Sequence, residues 1–252
     1  MDLAEAKVII TGGAKGLGAA TAQHMAGQGA KVTIFDMDKT AGALVAASHD
    51  NIRCLAVDVT DEAPAANAVT AAAEGMGGIT AVVNCAGIAA GMKIFGRDGP
   101  HTLDTFRKVI DINLVGSFNV TRLAVAVMSE NTPNAEGERG VIVNTASIAA
   151  YDGQKGQVAY AASKAGIAGM SLPMARDLGS LGIRVCAIAP GIFRTPMLEG
   201  LGPEIMQSLA KDVIFPHRLG RPEEYAQLAA FILAAPYLNG ETIRLDGALR
   251  MR

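Results

Sequence analysis

The chain has 252 residues, 50% of them hydrophobic and 18% charged, with a formal net charge of −2. Such a length suits one large α/β domain or two small ones, and the near-neutral balance leaves no basic stripe of the kind that nucleic-acid binding needs. The longest apolar runs, such as LAAFILAA at Leu228–Ala235, fall far short of a membrane span.

The N-terminal MDLAEAKVIITGG carries two acids and no basic leader, so neither a secretory signal nor an Arg-rich transit peptide is expected. Cys54, Cys85 and Cys186 lie in or at the end of apolar segments without paired spacing. They read as small core residues in a reducing compartment rather than a disulfide or metal framework. The expectation is a cytoplasmic protein with no metal, no membrane contact and no nucleic-acid partner.

Apolar runs rich in Val and Ile predict strands at Lys7–Thr11, Lys31–Phe35, Arg53–Val57, Ala81–Asn84, Val141–Thr145, Arg184–Ala189 and Thr242–Leu245. Their apolar character is continuous rather than alternating, as in strands covered on both faces of a parallel sheet. Ala-rich segments between them, such as Gly18–Gly27 and Leu103–Ser129, predict helices. Strand–helix alternation repeated this often predicts a single-domain α/β fold: a doubly wound, seven-stranded parallel sheet with helices on both faces.

After the first strand, TGGAKGLG supplies Gly12, Gly13, Gly16 and Gly18. Small residues there let the backbone approach a phosphate, and the helix that opens at the loop points its N–H groups and its dipole at that charge. Asp36, at the end of the second strand, is placed to accept hydrogen bonds from both hydroxyls of an adenosine ribose and to repel a 2′-phosphate. No Arg or Lys follows it until Lys39, which favours NAD over NADP.

Asp58, in VDVT, has two open readings: a partner for an adenine amino group, or a helix-capping turn acid. NCAG, Asn84–Gly87, ends the fourth strand with a side chain able to bond across strands and small residues, Ala86 and Gly87, that let a cofactor pass close. Asn113, in VIDINLVGSFNV, is either an ordinary polar residue on a half-buried helix or the site of a kink that frees a backbone carbonyl for a proton exit.

In AYAASKAG, Tyr160 and Lys164 are spaced to stack on one helix face, one turn apart. A fixed cation beside a phenol favours the phenolate and lowers its pKa from about 10. A phenol so tuned can take a proton from an alcohol while hydride moves to a nicotinamide, or return it in reduction. Ser147, just past the fifth strand, is expected to hold the substrate oxygen, and Lys164 to hold the cofactor ribose as well.

TGGAKGLG, NCAG, Asn113, Ser147, YAASK and the PG of Pro190–Gly191 together resemble the short-chain dehydrogenase/reductase family over essentially the whole chain. Stretches such as GVIVNTASIAAYDGQKGQVAYAASK and FPHRLGRPEEYAQL look like the branch of that family that acts on 3-hydroxyacyl-CoA and hydroxysteroids. The resemblance implies a catalytic tetrad of Asn113, Ser147, Tyr160 and Lys164. It also implies cofactor contacts from Lys15, Leu17, Asp36, Asp58, Val59, Cys85, Phe193 and Thr195, NAD as coenzyme, and a homotetramer. Where the family commonly has NNAG, this chain has Cys85, as that branch does.

Substrate contacts are expected from the loops Ile88–Pro100, Tyr151–Gln157 and Ile192–Pro216, with Gln154 placed to reach a carbonyl or thioester oxygen. Met197, Leu198, Leu201, Ile205, Met206 and Leu209 form an apolar stripe that suits packing or a short lid. Lys93 and Arg97 are solvated charges or partners for CoA phosphates. Two alternatives stand beside the alcohol dehydrogenase: an NADPH-dependent 3-oxoacyl-carrier-protein reductase, and a nucleotide-sensing protein on the same fold.

Overall fold

The computed structural model describes residues 1–97, 99–199 and 202–251; Leu201 and the side chains of Met197 and Ile205, members of the expected apolar stripe, lie outside it. Seven strands form one parallel sheet: β1 (Lys7–Thr11), β2 (Lys31–Asp36), β3 (Ile52–Ala56), β4 (Ala81–Asn84), β5 (Gly140–Thr145), β6 (Ile183–Pro190) and β7 (Thr242–Leu245). Their order across the sheet is β3-β2-β1-β4-β5-β6-β7. The chain winds outward from β1 in one direction and, after β3, from β4 in the other. The carboxyl ends of β1 and β4 therefore flank the switch point, where ligands bind in open α/β sheets.

The sheet is buried because its strands are apolar on both sides. Val8, Ile10, Val83 and Val143 face one layer, with α1 (Gly16–Gly27) and α9 (Pro222–Ala234), while Ile9, Val82 and Ile142 face the other. That second layer contains α3 (Glu62–Met76), α4 (Leu103–Ile110), α5 (Gly116–Met128) and α6 (Val158–Leu178). The remaining helices are α2 (Lys39–Ala46), α7 (Pro196–Glu199) and α8 (Pro203–Lys211).

The helix expected over Leu103–Ser129 forms, but not as one regular rod. A π-helical turn, Asp111–Val115, interrupts it and carries the buried Asn113. The stretch Leu103–Met128 is long and apolar enough to cross a membrane by length and composition, yet here it packs against α3 and α6. The third strand begins and ends one residue earlier than expected, and a small hairpin, Phe95–Gly96 with Gly99–Pro100, lies within the first expected substrate loop.

Candidate active site

A cavity of about 800 Å³ opens at the carboxyl edge of the sheet. Of the expected cofactor and catalytic residues, its wall includes Gly12, Lys15, Gly16, Leu17, Gly18, Asp36, Cys85, Gly87, Ser147, Tyr160, Lys164, Pro190, Phe193 and Thr195. These come from the ends of five strands and from α1 and α6, so only the folded sheet brings them together.

The Gly-rich loop is a close-contact structure. Gly12 has φ +63°, and a Cβ on it would lie 2.8 Å from the backbone of Ala86; one on Gly18 would lie 2.2 Å from the carbonyl oxygen of Gly12. Side chains at either place would force β1, α1 and the end of β4 apart. Lys15, the residue preceding α1, makes no side-chain cap bond, which leaves first-turn N–H groups to a bound anion.

Asp36 is fixed by two backbone donors: Ala14 N–H to Oδ2 at 3.0 Å and Asp38 N–H to Oδ1 at 2.9 Å. Each oxygen keeps acceptor capacity for a ribose hydroxyl. The expectation of no cation near Asp36 before Lys39 needs correction, because folding brings Lys15 alongside. Its ammonium is 2.6 Å from Asp38 Oδ2, so a carboxylate already answers that charge. Together the loop and the acid fit an adenine dinucleotide.

The Ser147, Tyr160, Lys164 and Asn113 group is built from the end of β5, α6 and the π turn. Ser147 precedes a short 3₁₀ turn, and its Oγ accepts from Ala149 N–H at 3.1 Å. The Ser147 and Tyr160 hydroxyls both face the cavity, and Ser147 favours the ionised form of the phenol. Lys164 is buried; its ammonium lies 5.8 Å from the centroid of the Tyr160 ring and donates to the Thr145 carbonyl at 2.7 Å.

Burial governs both titrations. It pushes the Lys164 ammonium down to about 8 and the Tyr160 phenol up, with Ser147 pulling the phenol partly back. An acidified phenol is therefore not a property of the protein alone. The cation expected to acidify it is itself destabilised by the same desolvation.

Asn113 is fully buried within the π turn. Its Oδ1 accepts from Ile88 N–H at 2.8 Å, and its Nδ2 donates to the Ile88 carbonyl and to Ser163 Oγ, both at 3.0 Å. The side chain thus clamps the backbone just past NCAG and ties it to α6. The Asn113 carbonyl accepts from Ser117 Oγ at 2.7 Å, so the backbone acceptor expected of a kink already has one donor, and a second lone pair remains.

Several expected contacts lie off the cavity wall. Asp58 is an Asx-turn acid whose Oδ1 accepts from Thr60 N–H at 2.9 Å and from Thr60 Oγ1 at 2.7 Å. Val59 is buried against Gly116, and its carbonyl accepts from Asn119 Nδ2. Asn84 bonds Thr121 Oγ1 and Asn144 Oδ1, each at 2.9 Å, and Ala86 N–H goes to Thr11 Oγ1. These residues hold the frame together.

Gln154 is also off the wall; Gln157, one turn nearer α6, lines the cavity instead, and its Oε1 accepts from Gln154 N–H at 3.0 Å. Ile88, which opens the first expected substrate loop, is on the wall, as are Thr145 and Met251, which the sequence did not single out. No local pattern marks Met251, which reaches the site only because the C-terminal segment folds back.

The short chain dehydrogenase family model matches residues 6–205. The 3-hydroxyacyl-CoA dehydrogenase type-2 of Drosophila melanogaster is 51% identical over 96% of this chain and 96% of its own length, and the one from Homo sapiens is 49% identical over 97% and 95%. The crystal structure of 3-hydroxyacyl-CoA dehydrogenase type-2 from Mycobacterium avium superposes with a TM-score of 0.92 at 42% identity, covering 98% of this chain and 96% of that one. With a family match of this extent and relatives this similar along their whole lengths, the chain belongs to the short-chain dehydrogenase family.

Proposed function

We propose that the chain is an NAD-dependent dehydrogenase that interconverts a secondary alcohol and a ketone, acting on 3-hydroxyacyl-CoA thioesters. The observation that carries it is the meeting of Ser147, Tyr160 and Lys164 on the wall of the cavity that also holds Asp36 and the Gly-rich loop. The names of the fly, human and mycobacterial relatives support the thioester class.

When bound, a nicotinamide coenzyme accepts or supplies the hydride. Ser147 holds the substrate oxygen, and Tyr160 takes the hydroxyl proton in oxidation or returns it in reduction. Lys164, one turn along α6, holds ribose hydroxyls and adds positive charge while protonated. Asp36 holds the adenosine ribose, and Gln157, which lines the cavity where Gln154 does not, takes the role of donor to a thioester oxygen.

Assembly as a homotetramer in the cytoplasm completes the proposal. Exposed Phe118 on α5 and Phe231 on α9 offer apolar surface to a second copy, and Cys54, Cys85 and Cys186 are free thiols, as a reducing compartment favours. Light scattering on the eluted protein measures the assembly.

The deciding experiment compares Tyr160→Phe with the parent on 3-hydroxyacyl-CoA thioesters, using NAD and NADP in turn. A folded variant that binds NADH yet loses turnover by about 10²–10⁴-fold supports the assignment. Parent-like turnover removes Tyr160 from the chemistry. Preference for NADP favours the carrier-protein reductase, and an inert parent favours a nucleotide sensor.

A further inference from the structure

Arg244, on β7, joins two segments that are far apart in sequence and that both border the cavity. Its Nη2 donates to Asp152 Oδ2 at 2.5 Å, and its guanidinium lies 5.4 Å from the centroid of the Tyr151 ring; both partners belong to the segment leading into α6. Toward the C-terminus, Nε donates to Asp246 Oδ2 at 2.7 Å and Nη2 to the Leu249 carbonyl at 3.1 Å.

Asp246 is itself held from two more sides, by Arg250 Nη1 and by Ala248 N–H, each at 3.0 Å. Beyond these segments stand Gln157 on one side and Met251 on the other, both on the cavity wall. The guanidinium stem is anchored because Arg244 pairs with Ala189 in the sheet.

We propose that Arg244 is a positioning residue that sets substrate selectivity by fixing the distance between the Tyr151–Gln157 segment and the C-terminal segment. The selectivity half rests on the thioester assignment above; the mechanical half does not. A planar fork can serve Asp152, Asp246 and the Leu249 carbonyl at once, whereas an ammonium on a flexible stem cannot hold them in one geometry. With the clamp closed, the two segments that carry Gln157 and Met251 are held in one arrangement at the cavity wall, and the room left for a bulky acyl group is set with them. With it open, that room is free to widen.

The test uses the full-length protein and four variants: Asp152→Ala, Asp152→Glu, Arg244→Lys and Met251→Gly. The selectivity readout is the ratio of kcat/KM for a bulky, α-branched thioester to that for a short straight one. Asp152→Ala, Arg244→Lys and Met251→Gly are each expected to shift it about tenfold toward the bulky substrate, more through KM than through kcat. Asp152→Glu restores part of the parent's preference. A purely structural role would instead lower both substrates' kcat/KM together and leave the ratio in place.

Hydrogen exchange supplies a readout that needs no turnover. In Asp152→Ala, amides of residues 152–157 and 247–251 are expected to exchange faster together, by about tenfold, with β1 unchanged. Faster exchange in the 152–157 segment alone, or an unmoved selectivity ratio in all folded variants, overturns the proposal. A parent that turns over no thioester overturns the substrate assignment, and the exchange experiment then decides the clamp by itself.

Discussion

The Lys164 ammonium lies 5.8 Å from the centroid of the Tyr160 ring and is tied at 2.7 Å to the Thr145 carbonyl. The lysine is thus held in place by β5, not by the phenol it serves. Burial brings its pKa down to about 8.

This geometry predicts a coenzyme-dependent titration. In the protein alone, burial keeps the Tyr160 phenol protonated past its ordinary range; an oxidised nicotinamide nearby adds positive charge and lowers it. The tyrosinate difference absorbance near 295 nm is expected to shift to lower pH when NAD is added. Alcohol oxidation then speeds up as pH rises and levels off, while ketone reduction slows. A hydride-limited rate that stays flat from acid to alkaline pH counts against Tyr160 as the base.

Asn113→Ala removes the clamp on Ile88 and strands a buried N–H and carbonyl. A loss of about 2–3 kcal/mol in urea unfolding is expected, together with weaker coenzyme binding, because Ile88 and Gly87 form part of the cavity wall. Unchanged stability would mean that water replaces the amide at no cost.

Asp36→Ala is expected to raise the KM for NAD by about tenfold to a hundredfold, through loss of charge-assisted bonds to the ribose. NADP should lose much less or gain, because the repelling carboxylate is gone while Lys15 remains. Measuring both KM values checks the sign, and equal losses for the two coenzymes would place the adenosine ribose elsewhere.

Glu224 gives an acid-stability signature. The Arg218 fork holds its carboxyl down to about 2, with help from Arg221 N–H at 2.8 Å. Because the folded-state pKa is depressed, this stabilisation is complete above the ordinary value of 4.5 and is lost as pH falls toward about 2. Allowing for solvent screening of a partly exposed pair, Glu224→Gln should cost up to about 1 kcal/mol at pH 7. The gap from the parent should narrow on acidification, and urea titrations at several pH values measure it.

Much of the fold was legible because parallel strands announce themselves. The runs that became β1, β4 and β7 had the expected boundaries to the residue, and β3 was displaced by one. Gly12 and Gly18 were legible for a similar reason: close backbone approach allows few residue types there. A kink at Asn113 was one of two open readings, but its π form was not legible, since Asp111–Val115 has an ordinary helical sequence. Gln157 replaced Gln154 on the wall through a loop conformation that no periodicity encodes. Asp58, Asn84 and Ala86 carry a motif's pattern, yet their visible bonds are within the protein frame.

The seam that Asn113 makes between Ile88 and Ser163 also bears on how products depart. A floor stitched from the segment after β4 through the π turn to α6 is rigid, so any opening for release is expected at the outer rim. Turnover in such an enzyme would respond to solvent viscosity and to rim substitutions, while changes beneath the floor would register as lost folding.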